Sequence, residues 1–262
     1  MIRNHSFNRS LFIDSSNIEE IKKWNNTCII DGVTTNQTIM FADGLRFGEI
    51  EKVVRRICKE MKQKPVSVEL SDSRVSVKEM IKEAKRLNSM AQNIVVKVPM
   101  IPDTTKSLEV IHALLQLNIA INVTVMMTFE QMVVAALAVR NSKKISFISL
   151  FWGRSEEDQV KYRGRFDFMA DHKRVGLASS INGEPKNIVK ETALFLKEGG
   201  YENVKIIVGS IRNATMVGEA FASGGNIVTT TPEILQSMLF SQRTKETIEQ
   251  FDSDWKALKK KS

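Results

Sequence analysis

The chain has 262 residues, 42% of them apolar and 26% charged, with two cysteines and a formal net charge of +8. That length and balance fit one domain spanning 1–262 whose core needs no covalent staples, and they exclude a disulfide framework. No run reaches the roughly 18 apolar residues of a membrane span, and MIRNHSFNRS at the start lacks a signal peptide's apolar region, so a soluble, cytoplasmic protein with no membrane partner is expected. The charge fits a solvated basic surface ending in Lys259-Lys260-Lys261, or steering of small anions. No nucleic-acid partner is expected, because no basic stripe interleaved with aromatics occurs. Cys28 opens an apolar run and is read as a core residue.

Short apolar runs alternate with longer amphipathic ones. LFID (11–14) ends in Asp14, ahead of a helix opening at SSNIEE. CIIDGVTTN (28–36) is a second strand ending in Thr34, Thr35 and Asn36, followed by a helical pattern over 49–61. VSVEL (66–70) carries Glu69 at its end and precedes a helix over 77–87. NIVVKVP (93–99) carries Lys97, and a helix over 105–117 follows. IAINVTV (119–125) carries Asn122 and Thr124, then a helix over 130–139. ISFISLF (145–151) carries Ser149 and Phe151, with Arg154 just beyond. Residues 153–188 are long and charged, include the turn-like NGEP, and have room for an extra helix. VKIIVGS (204–210) ends in Ser210, with Arg212 in the turn before a helix starting near Asn213, and NIVTTTP (226–232) is the eighth strand. Residues 242–260 form a last helix with Phe251, Trp255 and Leu258 on one side, a stripe suited to docking on the body of the protein or on a neighbouring subunit.

Eight β-then-α units imply parallel strands and right-handed crossovers. The expected fold is α/β, a single (β/α)8 TIM barrel with an extra C-terminal helix; an open doubly wound sheet is the alternative. In such a barrel the site lies at the C-terminal strand ends, where this chain gathers an amine, two carboxylates and two arginines. Lys97, with valine on either side, is the most informative. An amine taken out of water loses its proton more readily, and a free amine adds to a ketone to give an iminium, an electron sink for carbon–carbon cleavage. The other reading is a strand-edge lysine whose head reaches water. Asp14 and Glu69 are candidate proton carriers; Asp14 equally suits the cap of the first helix. Arg154, Ser210 and Arg212 suit a phosphate at a helix N-terminus, or the arginines merely solvate the surface. The histidines, His5, His112 and His172, have no metal-ligand spacing, and neither a phosphate loop nor a dinucleotide fingerprint occurs.

FIDSSNIEEIKKW, DGVTTNQT, NIVVKVPM, INVTVMMTFEQ, ISLFWGR, VGSIRNATMV and FDSDWKAL, in this order, resemble blocks of the transaldolase family. The resemblance implies that Lys97 forms a Schiff base with a ketose phosphate and that Asp14 takes the C4 hydroxyl proton. It implies that Glu69 and Thr124 hold the water at the imine, and that Asn36, Asn122 and Ser149 line the dihydroxyacetone pocket. Arg154, Ser210 and Arg212 would then hold the phosphate. Sugar phosphates are the implied partners, no metal or organic cofactor is needed, and a homo-oligomer involving Phe251 and Trp255 is expected. The related fructose 6-phosphate aldolases carry Gln where Glu69 stands and Tyr where Phe151 stands, which favours transfer over simple cleavage here. Gln37 (where the family has Pro), Trp152, the 153–188 segment and the N-terminal ten residues depart from the family and bear on the acceptor side.

Overall fold

The computed structural model describes residues 7–102, 104–162 and 184–260. Its strands are β1 (Ser10–Asp14), β2 (Ile30–Thr34), β3 (Val66–Glu69), β4 (Ile94–Pro99), β5 (Ile121–Met126), β6 (Ser146–Phe151), β7 (Val204–Gly209) and β8 (Ile227–Thr230). All are parallel and close into a barrel in chain order, which excludes the open sheet. Closure is made by β1 against β8, with Ile13 opposite Thr230. The helices are α1 (Ile18–Asn26), α2 (Gln37–Ala42), α3 (Ile50–Met61), α4 (Val77–Asn88), α5 (Lys106–Gln116), α6 (Phe129–Val139), α7 (Trp152–Tyr162), α8 (Pro185–Glu198), α9 (Ala214–Ala222), α10 (Pro232–Ser237) and α11 (Gln242–Lys259).

Local chemistry explains where these elements begin. Ser76 with Glu79, and Thr128 with Gln131, form reciprocal capping boxes at α4 and α6, each satisfying backbone donors that the first helical turn leaves open. Asn17, not Asp14, caps α1 by accepting from Glu19 and Glu20, which removes the capping reading of Asp14. Each wall helix buries an apolar stripe, as α3 does with Val54, Ile57, Cys58 and Met61.

Two buried clusters result. The larger lies between strands and helices. The smaller gathers Phe12, Val95, Phe147, Ile207 and Ile227, inward residues of their strands, with Ala120 just before β5 and Phe7 ahead of β1. Phe7, Phe12 and Phe147 meet edge to face at centroid distances of 5.5–6.0 Å. Strand side chains alternate, so two residues further along the inward positions become Asp14, Lys97, Asn122, Ser149, Gly209 and Thr229. An apolar floor therefore sits beneath a polar mouth, and Phe7 seals the end opposite the site.

Several expectations are corrected. Cys28 is exposed, not core; it sits in the α1–β2 turn with a φ of 60°, and the strand begins two residues later. Asn36 lies beyond β2 and caps α2. The C-terminal helix forms, but none of its residues is buried; Phe251, Trp255 and Leu258 stay 58–66% exposed, so the stripe does not dock on the barrel. Of the 153–188 segment, α7 (from Trp152) and the start of α8 at Pro185 are described, while the rest of the expected extra helix and the first half of NGEP lie outside the described residues. Among the described residues no helix is long and apolar enough to cross a membrane.

Candidate active site

A cavity of about 420 Å³ opens at the C-terminal strand ends, and all eleven residues expected at the site line it. Strand pairing brings them together: Asp14 is opposite Thr34, Glu69 opposite Lys97, and Lys97 opposite Asn122.

Lys97 is 4% exposed, so it is not a snorkelling edge lysine. Its Nζ donates to the Thr35 carbonyl at 3.0 Å and lies 3.1 Å from Glu69 Oε2. The contact with Glu69 is one of charge and proximity, because its geometry is not that of a hydrogen bond and Oε2 has no donor. Thr124 Oγ1 is likewise buried without a partner. Buried polar atoms are nearly always paired, and both of these belong to residues that line the cavity. Just past Thr124, the β5–β6 register shifts and Val125 takes a φ of 61°. A β-branched residue avoids that backbone unless its surroundings enforce it.

Asp14 accepts from the Thr34 hydroxyl at 2.6 Å. Burial pushes its carboxyl above the usual range; the Lys97 charge and the Thr34 hydrogen bond oppose this, and the Glu69 and Asp43 charges add to it. The residue keeps partial exposure, toward the cavity. Asn36 Oδ1 is taken by the Ile39 N–H of α2, which leaves its amide donors for a ligand. Asn122 Oδ1 accepts from Ser149 Oγ at 2.6 Å, which aims the Asn122 amide. Phe151 and Gln37 also line the cavity, and Gln37 is tied to the Leu70 carbonyl at 2.8 Å. Trp152 does not line it. It is buried in the outer core and donates to Glu156 at 2.8 Å.

Arg154 and Arg212 stand exposed at the rim. Arg212 pairs with Glu157 at 2.9 Å; that hydrogen bond holds the Glu157 carboxyl below its usual range, and the Arg154 charge adds to the effect. Ser210 has a φ of 59°, a left-handed backbone that costs a non-glycine residue about 1–2 kcal/mol. The Gly153 N–H holds the Ser210 carbonyl at 3.0 Å. A Cβ at Gly153 would lie 2.3 Å from that oxygen and 3.0 Å from Arg212 Cγ, so only glycine lets α7 approach the β7–α9 turn this closely.

The model of the family described as transaldolase/fructose-6-phosphate aldolase matches residues 11–262. The chain belongs to this family. It is 32% identical over 246 residues to a probable transaldolase of Petrotoga mobilis, covering 94% of each chain. It is 29% identical to a probable transaldolase of Nitrosopumilus maritimus, over 95% of this chain and 96% of the relative. Among solved structures it resembles a dihydrodipicolinate synthase from Rhodopseudomonas palustris, with a TM-score of 0.57, 14% identity, and coverage of 88% and 72%. It also resembles a putative phosphonomutase from Burkholderia cenocepacia, with a TM-score of 0.54, 12% identity, and coverage of 94% and 93%. At such identities the structural likeness speaks to the fold alone. The protein is thus a transaldolase-family enzyme built on a (β/α)8 barrel.

Two groups in this transaldolase-family site escaped the sequence reading. In the sequence Thr34 reads only as a strand end, and nothing in the residue itself marks Thr229. Their hydroxyls lie 2.5 Å apart beside Asp14. The period-two alternation carries the signal for Thr229: Ile227 belongs to the inner cluster, so the residue two further on also faces inward.

Proposed function

We propose that the protein is a class I transaldolase that moves a dihydroxyacetone unit from a ketose phosphate, such as sedoheptulose 7-phosphate or fructose 6-phosphate, to an aldose phosphate. The single observation that supports it most is the buried Lys97 amine, 3.1 Å from the Glu69 carboxylate, in a cavity otherwise lined largely by hydroxyls and amides.

In this reading the ammonium proton passes to Glu69, which is close enough to take it. The neutral amine adds to the C2 carbonyl. Glu69 returns a proton so that water leaves and an iminium forms, with Thr124 holding that water. Asp14 takes the proton from the C4 hydroxyl. The C3–C4 bond breaks, its electrons enter the iminium to give an enamine, and the aldehyde fragment departs. The enamine then attacks the acceptor aldehyde, the steps run in reverse, and hydrolysis frees Lys97. Asn36 and Asn122 donate to the hydroxyls of the three-carbon unit, and Ser149 aims Asn122. Arg154, Arg212 and the α9 N-terminus with Ser210 hold the phosphate. Phe151 offers no hydrogen bond to an attacking water, which favours transfer.

A coupled assay tests this. Release of glyceraldehyde 3-phosphate from fructose 6-phosphate that depends on added erythrose 4-phosphate is expected. Equal release without acceptor favours the second reading, a lyase. That reading draws on Gln37, which lines the same cavity in place of the family proline.

We also propose assembly with further copies of the same chain through α11. Its face shows Ile248, Phe251, Trp255 and Leu258, with Leu239 and Phe240 just before it, all more than half exposed. So contiguous an apolar surface is the mark of an interface.

A further inference from the structure

We propose that Thr229, on the last strand, is a positioning residue for Asp14, acting through the Thr34 hydroxyl. The inference rests on the transaldolase reading, in which Asp14 is the base for carbon–carbon cleavage. Hydrogen count fixes the direction of the chain. An ionised carboxylate only accepts, so the single hydrogen of Thr34 Oγ1 goes to Asp14 Oδ1, at 2.6 Å. Thr34 Oγ1 then has none left for Thr229 Oγ1, 2.5 Å away. Thr229 must donate, and Thr34 accepts from it while donating to Asp14.

The fold supplies this arrangement. β1 lies between β2 and β8 only because the barrel closes, so Thr34 and Thr229 come from the two strands that flank Asp14 and meet each other there. A Cβ at Gly209 would stand 3.2 Å from Thr229 Cγ2, so glycine there leaves room for Thr229 beside it. Thr229 is 5% exposed and Thr34 2% exposed, so water competes weakly and each bond polarises the next.

The consequence is on the charge and the aim of Asp14. The groups that act on it are Lys97 from β4, Glu69 from β3, Asp43 after α2, and the Thr34 hydroxyl. Of these only Lys97 and Thr34 favour the ionised form, and burial opposes it. Thr229 adds to the favourable side by fixing the Thr34 hydrogen on Asp14. Thr34, so held, occupies one carboxylate oxygen, leaving the other for the substrate hydroxyl.

The test is Thr229→Val, nearly isosteric but without the hydroxyl, with Thr229→Ser as the conservative control. For Thr229→Val, kcat for fructose 6-phosphate cleavage should fall about three- to tenfold, the size of one hydrogen bond between neutral groups. KM should be unchanged and the acid limb of the pH profile should move to higher pH. Borohydride trapping of dihydroxyacetone on Lys97, which needs no cleavage, should keep its wild-type rate, and Thr229→Ser should restore both kcat and the limb. An unmoved acid limb, or equal losses in trapping and cleavage, overturns the proposal. If the wild type itself gives no adduct, the transaldolase reading fails instead. The relay is then read from the 13C carboxyl titration of Asp14, assigned by its loss in Asp14→Asn. An upward shift in Thr229→Val supports the relay, and an unmoved titration overturns it.

Discussion

At the scale of the residue, Asp14 carries the clearest conflict between stability and activity. Its native pKa is raised by burial, so between the ordinary carboxylate value and the raised one the native state binds more protons than the unfolded chain. Stability therefore falls as pH rises through that window, and the penalty persists above it. Asp14→Asn should raise stability at neutral pH by on the order of 1 kcal/mol, the low end of the cost of a buried polar group, or about 2–4 °C in Tm. The gain should vanish once both states are protonated in acid, while activity drops about 10²–10⁴-fold, as for loss of a general base. Melting curves across pH, together with initial rates, check both; a pH-independent Tm difference would contradict the account. Glu157 makes a second case. Its pair with Arg212 is exposed and, in the proposed reading, would compete with a substrate phosphate for the same guanidinium. Exposed pairs are worth up to about 1 kcal/mol, so Glu157→Gln should lower KM for a phosphorylated donor by at most about fivefold, and an increase would speak against Arg212 as a phosphate ligand. Lys97, Asp14 and Glu69 were legible in the sequence because ionisable groups in apolar runs are rare. Thr34 and Thr229 were not, since threonine is an ordinary strand residue and its partners come from strands distant in sequence.

At the scale of the element, α7 meets the β7–α9 turn at Gly153, beside the rim where the proposed phosphate site lies. Gly153→Ala places a methyl against the Ser210 carbonyl and pushes Ser210 and Arg212 outward. KM for fructose 6-phosphate should rise about tenfold, since small misplacements of binding groups are costly, while trapping of unphosphorylated dihydroxyacetone on Lys97 continues. Equal loss with both ligands would mean a general defect rather than a rim defect. Strand order and the bounds of α3, α4, α5, α6 and α11 could be read from periodicity. The 49–61 pattern, for instance, became α3 at Ile50–Met61. The short α2 could not, because its six residues, Gln37–Ala42, show less than two turns of pattern. Cys28 was misplaced because an apolar residue beside an apolar strand looks like part of it. What ends the run is a left-handed backbone at that residue, and side-chain hydropathy carries no trace of it.

At the scale of the whole molecule, α11 stands with every residue at least partly exposed. Replacing Phe251 and Trp255 together by aspartate should shift sedimentation from an assembly toward a monomer without unfolding the barrel, whose clusters include neither residue. A wild-type chain that sediments as a monomer at micromolar concentration would contradict that assembly. The closed barrel matters for chemistry as well as for stability, since it brings Asp14, Glu69, Lys97 and Asn122, from β1, β3, β4 and β5, into one cavity above an apolar floor. The central claim is that this cavity makes a Schiff base on Lys97. The direct measurement is incubation with fructose 6-phosphate, reduction with borohydride, and peptide mass mapping. The account predicts a reduced dihydroxyacetone-sized addition on the peptide bearing Lys97, absent in Lys97→Met. No adduct with either fructose 6-phosphate or sedoheptulose 7-phosphate, or an adduct on another lysine, would contradict it.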